Sequence, residues 1–347
     1  MTAHRTMVVF GAYGHTARFV VAEMRERGWT PILAGRDATK LQTIAEAYAE
    51  SEARVASIDD PASLDRALAG AEAVINCAGP FSETAPAVID AALRAGIHYV
   101  DVTGETLVAI STFARYADSE PDASRVRDAG IMIVPSMGFY GALGDLLATV
   151  AVGDWPATDE VTIAVALDSW KPTRGTRLAG ERRAGRRVVF ADHQLAIHPG
   201  DAPAPMGTWA FPAPFGMQDV VGEFSTVDVV TIARHLPTAR INAWINRAPL
   251  RDLSDPNAAG PEAVDASGRS AQTFLVEVVA RRDDEERRAV ARGRDIYAIT
   301  APIVVEAVER ILDGHTKVSG IAAAGQVFDA RDFLQALSSP YLSLELP

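Results

Sequence analysis

From Thr6 to about Pro135 the chain alternates between two textures, and that alternation restricts its fold more than any other feature. Short apolar runs rich in β-branched residues (MVVF, PILAG, ARVAS, AVINCAG, HYVDV, IMIVPS) are separated by segments with helical spacing. Runs of this kind build βαβ units, and so predict a doubly wound parallel sheet with helices on both faces. After the first run, Phe19, Val20, Ala22, Glu23, Met24 and Arg27 sort into an apolar stripe and a charged face before Gly28 stops the helix. Further helices are expected over 38–49, from Pro61 and from Glu83, with Gly70 and Gly96 ending the last two.

Beyond Gly138 the texture changes. GALGDLLATVAV predicts a helix and EVTIAVALDSW an alternating strand; the stretch from there to about Gln218, crowded with Gly, Pro and Arg, predicts longer loops. TFLVEVVARR and RRAVARG, joined by DDEE, predict a hairpin, and IYAITAPIVVEAVERILDG returns to helical periodicity with a start or kink near Pro302. A length of 347 residues fits two domains, each with its own core.

A net charge of -12 disfavours nucleic acid and anionic membrane surfaces as partners, because the whole-protein field repels both. Small molecules and further copies of the chain are the expected partners. The single cysteine, Cys77, has no partner for an intrachain disulfide, and no Cys/His spacing resembles a metal site. MTAHRT runs straight into a strand without an apolar signal region, and no apolar run reaches membrane-spanning length. A reducing cytoplasm is therefore expected.

Gly11, Gly14 and Ala17 form G-x-x-G-x-x-A between the first strand and the first helix. Glycine at the first two positions lets backbone approach a diphosphate, with Tyr13, His15 and Thr16 supplying the amides of the turn and helix start; Ala17 keeps the helix close to the sheet. The next strand ends on Gly35-Arg36-Asp37, where an NAD site would place an acid for the ribose hydroxyls. Arg36 is suited to the 2'-phosphate of NADP(H), and Asp37 to capping the following helix; the alternative is that Arg36 is a solvated loop cation. At the ends of the fourth and fifth strands, Cys77, Ala78, Gly79, Pro80 and Phe81, then Thr103 and Gly104, are placed to line a nicotinamide pocket, although Cys77 also reads as a small buried hydrophobe. Glu105 either contacts substrate or caps the next helix. Asp59 either touches adenine or caps the helix from Pro61.

GAYGHTA, LAGRD, NCAGPF and YVDVTGE, in this order and spacing, resemble the saccharopine dehydrogenase-like reductases, a superfamily that includes trans-acting enoyl reductases. The resemblance implies a Rossmann-type domain binding NADP(H) over 1–150, a second α/β domain with a mixed sheet over 151–294 that covers the nicotinamide and often dimerises, and carboxyl-terminal helices over 295–347 returning to the first domain. It implies an NADPH-dependent oxidoreductase acting on a C=N bond of a small amino-acid-derived imine or on a polarised C=C bond, in a carboxylate-bearing or carrier-tethered substrate. A redox sensor that binds NADP(H) without turnover is the alternative. A homodimer is the expected assembly.

Hydride transfer usually needs a proton donor beside it. Tyr140, in PSMGFYGALGD at the domain crossover, is one candidate for catalysis and substrate contact; packing of the next helix is the other explanation for it. His235 is a second candidate, set against a structural histidine. In KPTRGTRLAGERRAGRR, read as a loop or hairpin, Arg174 and Arg177 beside Trp170 are placed to clamp a substrate carboxylate or phosphate.

Overall fold

The computed structural model describes residues 5–48, 51–183 and 185–347. Six strands, β1 (Met7–Phe10), β2 (Ile32–Gly35), β3 (Ala53–Val55), β4 (Ala73–Asn76), β5 (His98–Asp101) and β6 (Met132–Val134), match the six apolar runs. They form a parallel sheet in the order 3-2-1-4-5-6 going outward from β3, and a short strand from much later in the chain is added beside β6. The helices between them are α1 (His15–Glu26), α2 (Ala38–Ala47), α3 (Pro61–Leu68), α4 (Phe81–Ala95), α5 (Thr106–Tyr116) and α6 (Asp122–Ala129). Successive residues of β1 serve opposite faces: Met7 and Val9 pack into the core that holds α1, Val8 and Phe10 into the core under α3 and α4. The helix predicted from Glu83 begins at Phe81, and the predicted end of the 38–49 helix lies outside the described residues.

A sharp turn over Phe139–Leu143 leads to α7 (Gly144–Val152) and then to the second sheet. The stretch expected as loops folds instead into α8 (Arg174–Arg183) and the strands β8 (Arg187–Ala191), β9 (Gln194–His198), β10 (Met206–Phe211) and β11 (Gly216–Val221). The chain continues through α9 (Asp228–Ala233), β12 (Thr238–Asn246), α10 (Arg247–Ser254) and the predicted hairpin, β13 (Thr273–Arg282) with β14 (Glu285–Arg294). The long strand β7 (Thr158–Leu167) lies at the centre, parallel to β12 and antiparallel to β13, so this sheet is mixed.

After α11 (Thr300–Leu312) the chain supplies one strand to each sheet. β15 (Gly320–Ile321) pairs with β6, and beyond α12 (Ala324–Val327) and α13 (Ala330–Ala336), β16 (Leu342–Glu345) pairs with β14. α11 packs on α1, where Arg27 donates to Glu306 at 2.7 Å and Glu309 at 2.5 Å. One apolar core runs from Val9 and Met24 through Leu146 and Ile303 to Val161, Ile163, Val165 and Val276, so the inner face of the second sheet is packed onto the same interior as α1.

Candidate cofactor and substrate cleft

β1 delivers the chain to Gly11, whose N–H donates to the carbonyl of Ala34 at 2.7 Å. Gly11 has a φ of +81°, and a Cβ there would stand 2.8 Å from Cα of Ala78, so only glycine lets this turn approach the loop after β4. Gly14 takes the extended N-cap position of α1, and no acidic residue sits in the first helical turn. The amides that open the helix, at His15, Thr16 and Ala17, have no carbonyl a turn earlier within it, and the positive end of the helix dipole is unopposed. Ala17 is fully buried against the sheet. This end of the sheet is shaped for an anion such as a diphosphate.

At the end of β2 the ring of Tyr13 covers Gly35, and its hydroxyl accepts the N–H of Asp37 at 3.3 Å. Asp37 caps α2 by accepting the N–H of Lys40 at 3.1 Å, and that bond together with the Lys40 ammonium holds its carboxyl below the usual range. Lys40 Nζ lies 5.6 Å from the centre of the Tyr13 ring. Arg36 is exposed beside them and has no hydrogen-bond or ion-pair partner among the described residues. Asp59 is exposed and bonds to Ser57; it does not cap α3, whose N-cap is Asp60.

The loops after β4, β5 and β6 are tied by a buried polar chain. Asn76 donates to the Tyr99 hydroxyl at 3.1 Å and accepts the N–H of Ala78 at 3.0 Å; Tyr99 donates to Asp101 at 2.8 Å; Asp101 accepts the N–H groups of Thr103 at 3.0 Å and Ser136 at 2.8 Å. Burial pushes the Asp101 carboxyl up to about 6 against the pull of those hydrogen bonds. Burial, with Asp101 nearby, also pushes the Cys77 thiol well above its ordinary range, which keeps it a neutral thiol. Glu105 does not cap α5 with its side chain; its Oε1 accepts the N–H of Phe81 at 3.0 Å. That bond draws the Ala78-Gly79-Pro80-Phe81 loop toward Thr103 and Gly104.

Tyr140 stands opposite, with its Cβ 4.0 Å from where a Cβ of Gly104 would lie. The turn that puts it there depends on Gly141, whose φ is +105° and where a Cβ would stand 2.5 Å from the Ser136 carbonyl oxygen. The Tyr140 ring is walled by Phe139, Trp170 and Phe224 at centroid distances of 4.8, 5.7 and 5.8 Å. Its hydroxyl is shielded from solvent and has no partner among the described residues. Burial, with Asp228 adding to it, keeps the phenol protonated well above its ordinary range.

Trp170 does not reach into open space: its indole N–H donates to the Tyr297 hydroxyl at 3.1 Å. The same hydroxyl accepts the N–H of Thr173 at 3.2 Å and bonds to Thr176 Oγ1 at 2.9 Å, while the Tyr297 ring meets the His15 ring edge-on at 5.3 Å. The second sheet is thereby brought against the glycine turn. His15 Nε2 is buried without a partner among the described residues, and burial, then Arg18, lowers its pKa so that the ring stays neutral.

The structure brings the predicted cofactor residues together around one cleft, apart from Asp59, whose only side-chain bond is local. It does not bring His235 there. The His235 ring bonds to the buried Asp145 at 2.6 Å, and Asp145 accepts the N–H of Gly325 at 2.8 Å. Arg177 donates to the carbonyls of Asp255 at 3.1 Å and Ala258 at 2.8 Å, holding the loop after α10, and Arg174 is exposed. Tyr297, Phe224 and Lys40 join the cleft although the sequence does not single them out. Lys40 can be found one helical turn after Arg36; Tyr297 and Phe224 carry no local signal.

Among the described residues no group of three or more His, Cys, Asp or Glu side chains is placed to hold a metal, and no helix is long and apolar enough to cross a membrane.

Residues 7–134 match the family model of the saccharopine dehydrogenase NADP-binding domain. A saccharopine dehydrogenase-like oxidoreductase of Mus musculus is 31% identical over 160 residues, 40% of this chain and 35% of that protein. A probable mitochondrial saccharopine dehydrogenase-like oxidoreductase of Arabidopsis thaliana is 28% identical over 187 residues, 49% of this chain and 40% of its own length. Matches of this kind span well under half of the relatives. In fold, an apo saccharopine dehydrogenase (L-Glu forming) from Saccharomyces cerevisiae superposes over 99% of this chain and 100% of its own with a TM-score of 0.67, at 14% identity. The cytoplasmic expectation is corrected by these relatives: one of them is named for the mitochondrion, so a lone cysteine does not assign the compartment.

Proposed function

We propose, from the premise that this chain carries the NADP-binding domain of the saccharopine dehydrogenase-like oxidoreductases, that it reduces a C=N or polarised C=C bond of a small carboxylate-bearing or carrier-tethered substrate at the expense of NADPH. One observation carries this reading: the protonated, unpartnered hydroxyl of Tyr140 enclosed by aromatic rings beside Gly104.

The residues fit the cofactor. Without a Cβ, Gly11 keeps the turn against Ala78, the amides of Tyr13, His15 and Thr16 are the donors for a diphosphate, and Arg36, with Lys40 beside it, supplies cations for the 2'-phosphate. Ala78 to Phe81, Thr103 and Gly104 border the nicotinamide end. When bound there, NADPH supplies the reducing equivalent as hydride. Tyr140 holds a proton at its hydroxyl for the heteroatom or carbon that gains negative charge, while Phe139, Trp170 and Phe224 exclude water from it. Tyr297 orients Trp170 and packs His15 at the glycine turn.

In this reading 1–150 binds the cofactor, 151–294 covers it and 295–347 joins both. A homodimer is proposed as the assembly, supported by Met206 and Met217 lying 57% and 68% exposed on adjacent strands of the second sheet.

The test is consumption of NADPH by the purified protein with two acceptor types: a 2-oxo acid mixed with an amino acid, which presents C=N, and an enoyl thioester, which presents C=C. Turnover with either type is the expected result and chooses the bond. Saturable NADPH binding with no oxidation by any acceptor replaces the reductase with a redox sensor.

A further inference from the structure

We propose that Arg183 forms an anion subsite at the edge of this cleft, which receives a carboxylate or phosphate group of the substrate. The substrate part of this inference rests on the reductase reading; the anion site itself does not.

α8 buries none of its residues, so apolar packing does not explain why it lies where it does. It is held at its two ends. Thr173 and Thr176 fasten its start to the Tyr297 hydroxyl, and near its end Arg182 donates to Ser82 at 3.0 Å and pairs with Glu83 at 2.9 Å, just after Phe81. The helix therefore runs as a strap from the His15–Tyr297 contact to the start of α4, next to Phe81.

Its arginines differ in what they meet. Arg177 and Arg182 have partners, and Arg174 stands in solvent. Arg183 is half-buried: its Nε is closed off from water and has no partner among the described residues. Of the carboxylates around this helix, Glu181 is exposed to solvent and three others are engaged elsewhere. Glu223 accepts from Arg187 at 3.0 Å and lies 3.2 Å from His198 Nδ1, Glu83 is paired with Arg182, and Glu105 accepts from Phe81. The charge that acts on Arg183 is Arg187, of the same sign; loss of water and that repulsion both lower the Arg183 pKa. A guanidinium whose Nε is shielded from water and meets no acceptor carries an unmet desolvation cost, and an incoming oxyanion relieves that cost through a charge-assisted hydrogen bond. The excess of cation is local, since the chain as a whole carries -12.

The experiment is calorimetric titration of the NADP-loaded protein with succinate and, separately, inorganic phosphate, for wild type, Arg183→Gln and Arg174→Gln. Binding of at least one anion is expected, weakened about tenfold or more by Arg183→Gln and within about twofold of wild type in Arg174→Gln. Heat with succinate alone assigns the site to carboxylates; heat with phosphate alone assigns it to phosphorylated groups. No heat with either anion, or equal affinity in wild type and Arg183→Gln, overturns the proposal. A second measurement is the thermal midpoint in anion-free buffer, where Arg183→Gln should match or exceed wild type; a clear drop marks a structural role and also overturns it. A protein that binds an anion through Arg183 yet oxidises no NADPH refutes the reductase reading alone.

Discussion

The aromatic ring of Tyr13 lies against the backbone of Gly35, with Cε1 2.8 Å from the point that a Cβ of Gly35 would occupy. The glycine turn and the end of β2 are fitted to each other through that contact, and the bond from Asp37 N–H to the Tyr13 hydroxyl closes it. Gly35→Ala forces the ring aside at a cost of about 1–3 kcal/mol. NADPH affinity, read by fluorescence titration, is expected to fall about tenfold. The double variant Gly35→Ala/Tyr13→Ala should regain thermal stability, and failure to regain it would place the clash elsewhere.

Arg36→Ala should separate the two reduced nucleotides. A charge-assisted hydrogen bond to the 2'-phosphate contributes about 1.5–3 kcal/mol, so NADPH should bind about tenfold to a hundredfold more weakly. NADH, which lacks that phosphate, should change within about twofold. Equal losses for both would remove Arg36 from the 2'-phosphate site.

Tyr140→Phe keeps the ring among Phe139, Trp170 and Phe224 and removes only the hydroxyl. Turnover should fall by about 10²–10⁴ while the NADPH dissociation constant stays within about twofold. Because burial holds the phenol protonated well above its ordinary range, wild-type rate should show no loss from this group as pH rises through neutrality. Unchanged turnover in Tyr140→Phe assigns the proton to another donor.

His235→Ala leaves Asp145 buried with the N–H of Gly325 and without its ring partner. Denaturant unfolding should show a loss of about 3 kcal/mol, with turnover per folded molecule within about twofold of wild type. A large loss of turnover at full stability would return His235 to the chemistry.

Asp101→Asn tests the buried chain by its pH dependence. The folded carboxyl is raised to about 6 by burial, above its unfolded value, so between those two values the native state holds more protons than the unfolded state. Wild type should therefore lose stability as pH climbs from about 4 to about 6, by roughly 3 kcal/mol from this group, and none from it above that window. The difference in unfolding free energy between wild type and Asp101→Asn should move against wild type over the same window and then flatten. A difference independent of pH would mean that Asp101 is not desolvated.

The first sheet is legible because its central strands are buried on both faces, which writes a continuous apolar run such as AVIN between helices of clear periodicity. The strands of the second sheet between β7 and the β13–β14 hairpin are harder. β9 and β10 are mostly exposed edge strands, and their sequences QLAIH and MGTWAF sit among glycines and prolines, so composition reads as loop where backbone pairing makes strand. β12 carries a period that could have been read, since Ile241, Ala243 and Ile245 alternate with Arg240, Asn242 and Trp244. In the cleft, Gly11 and Gly14 are readable because backbone geometry demands glycine there. Tyr297 is not, since its importance comes from joining Trp170, Thr173, Thr176 and His15, which only the folded chain brings together.

The last part of the chain gives Gly320–Ile321 to one sheet and Leu342–Glu345 to the other. It works as a clasp: swinging the two sheets apart as rigid bodies would peel a strand from one of them. An opening that keeps both pairings has to come from smaller elements, and α8, which buries none of its residues and is moored by side-chain bonds at its two ends, has the least interior packing to give up.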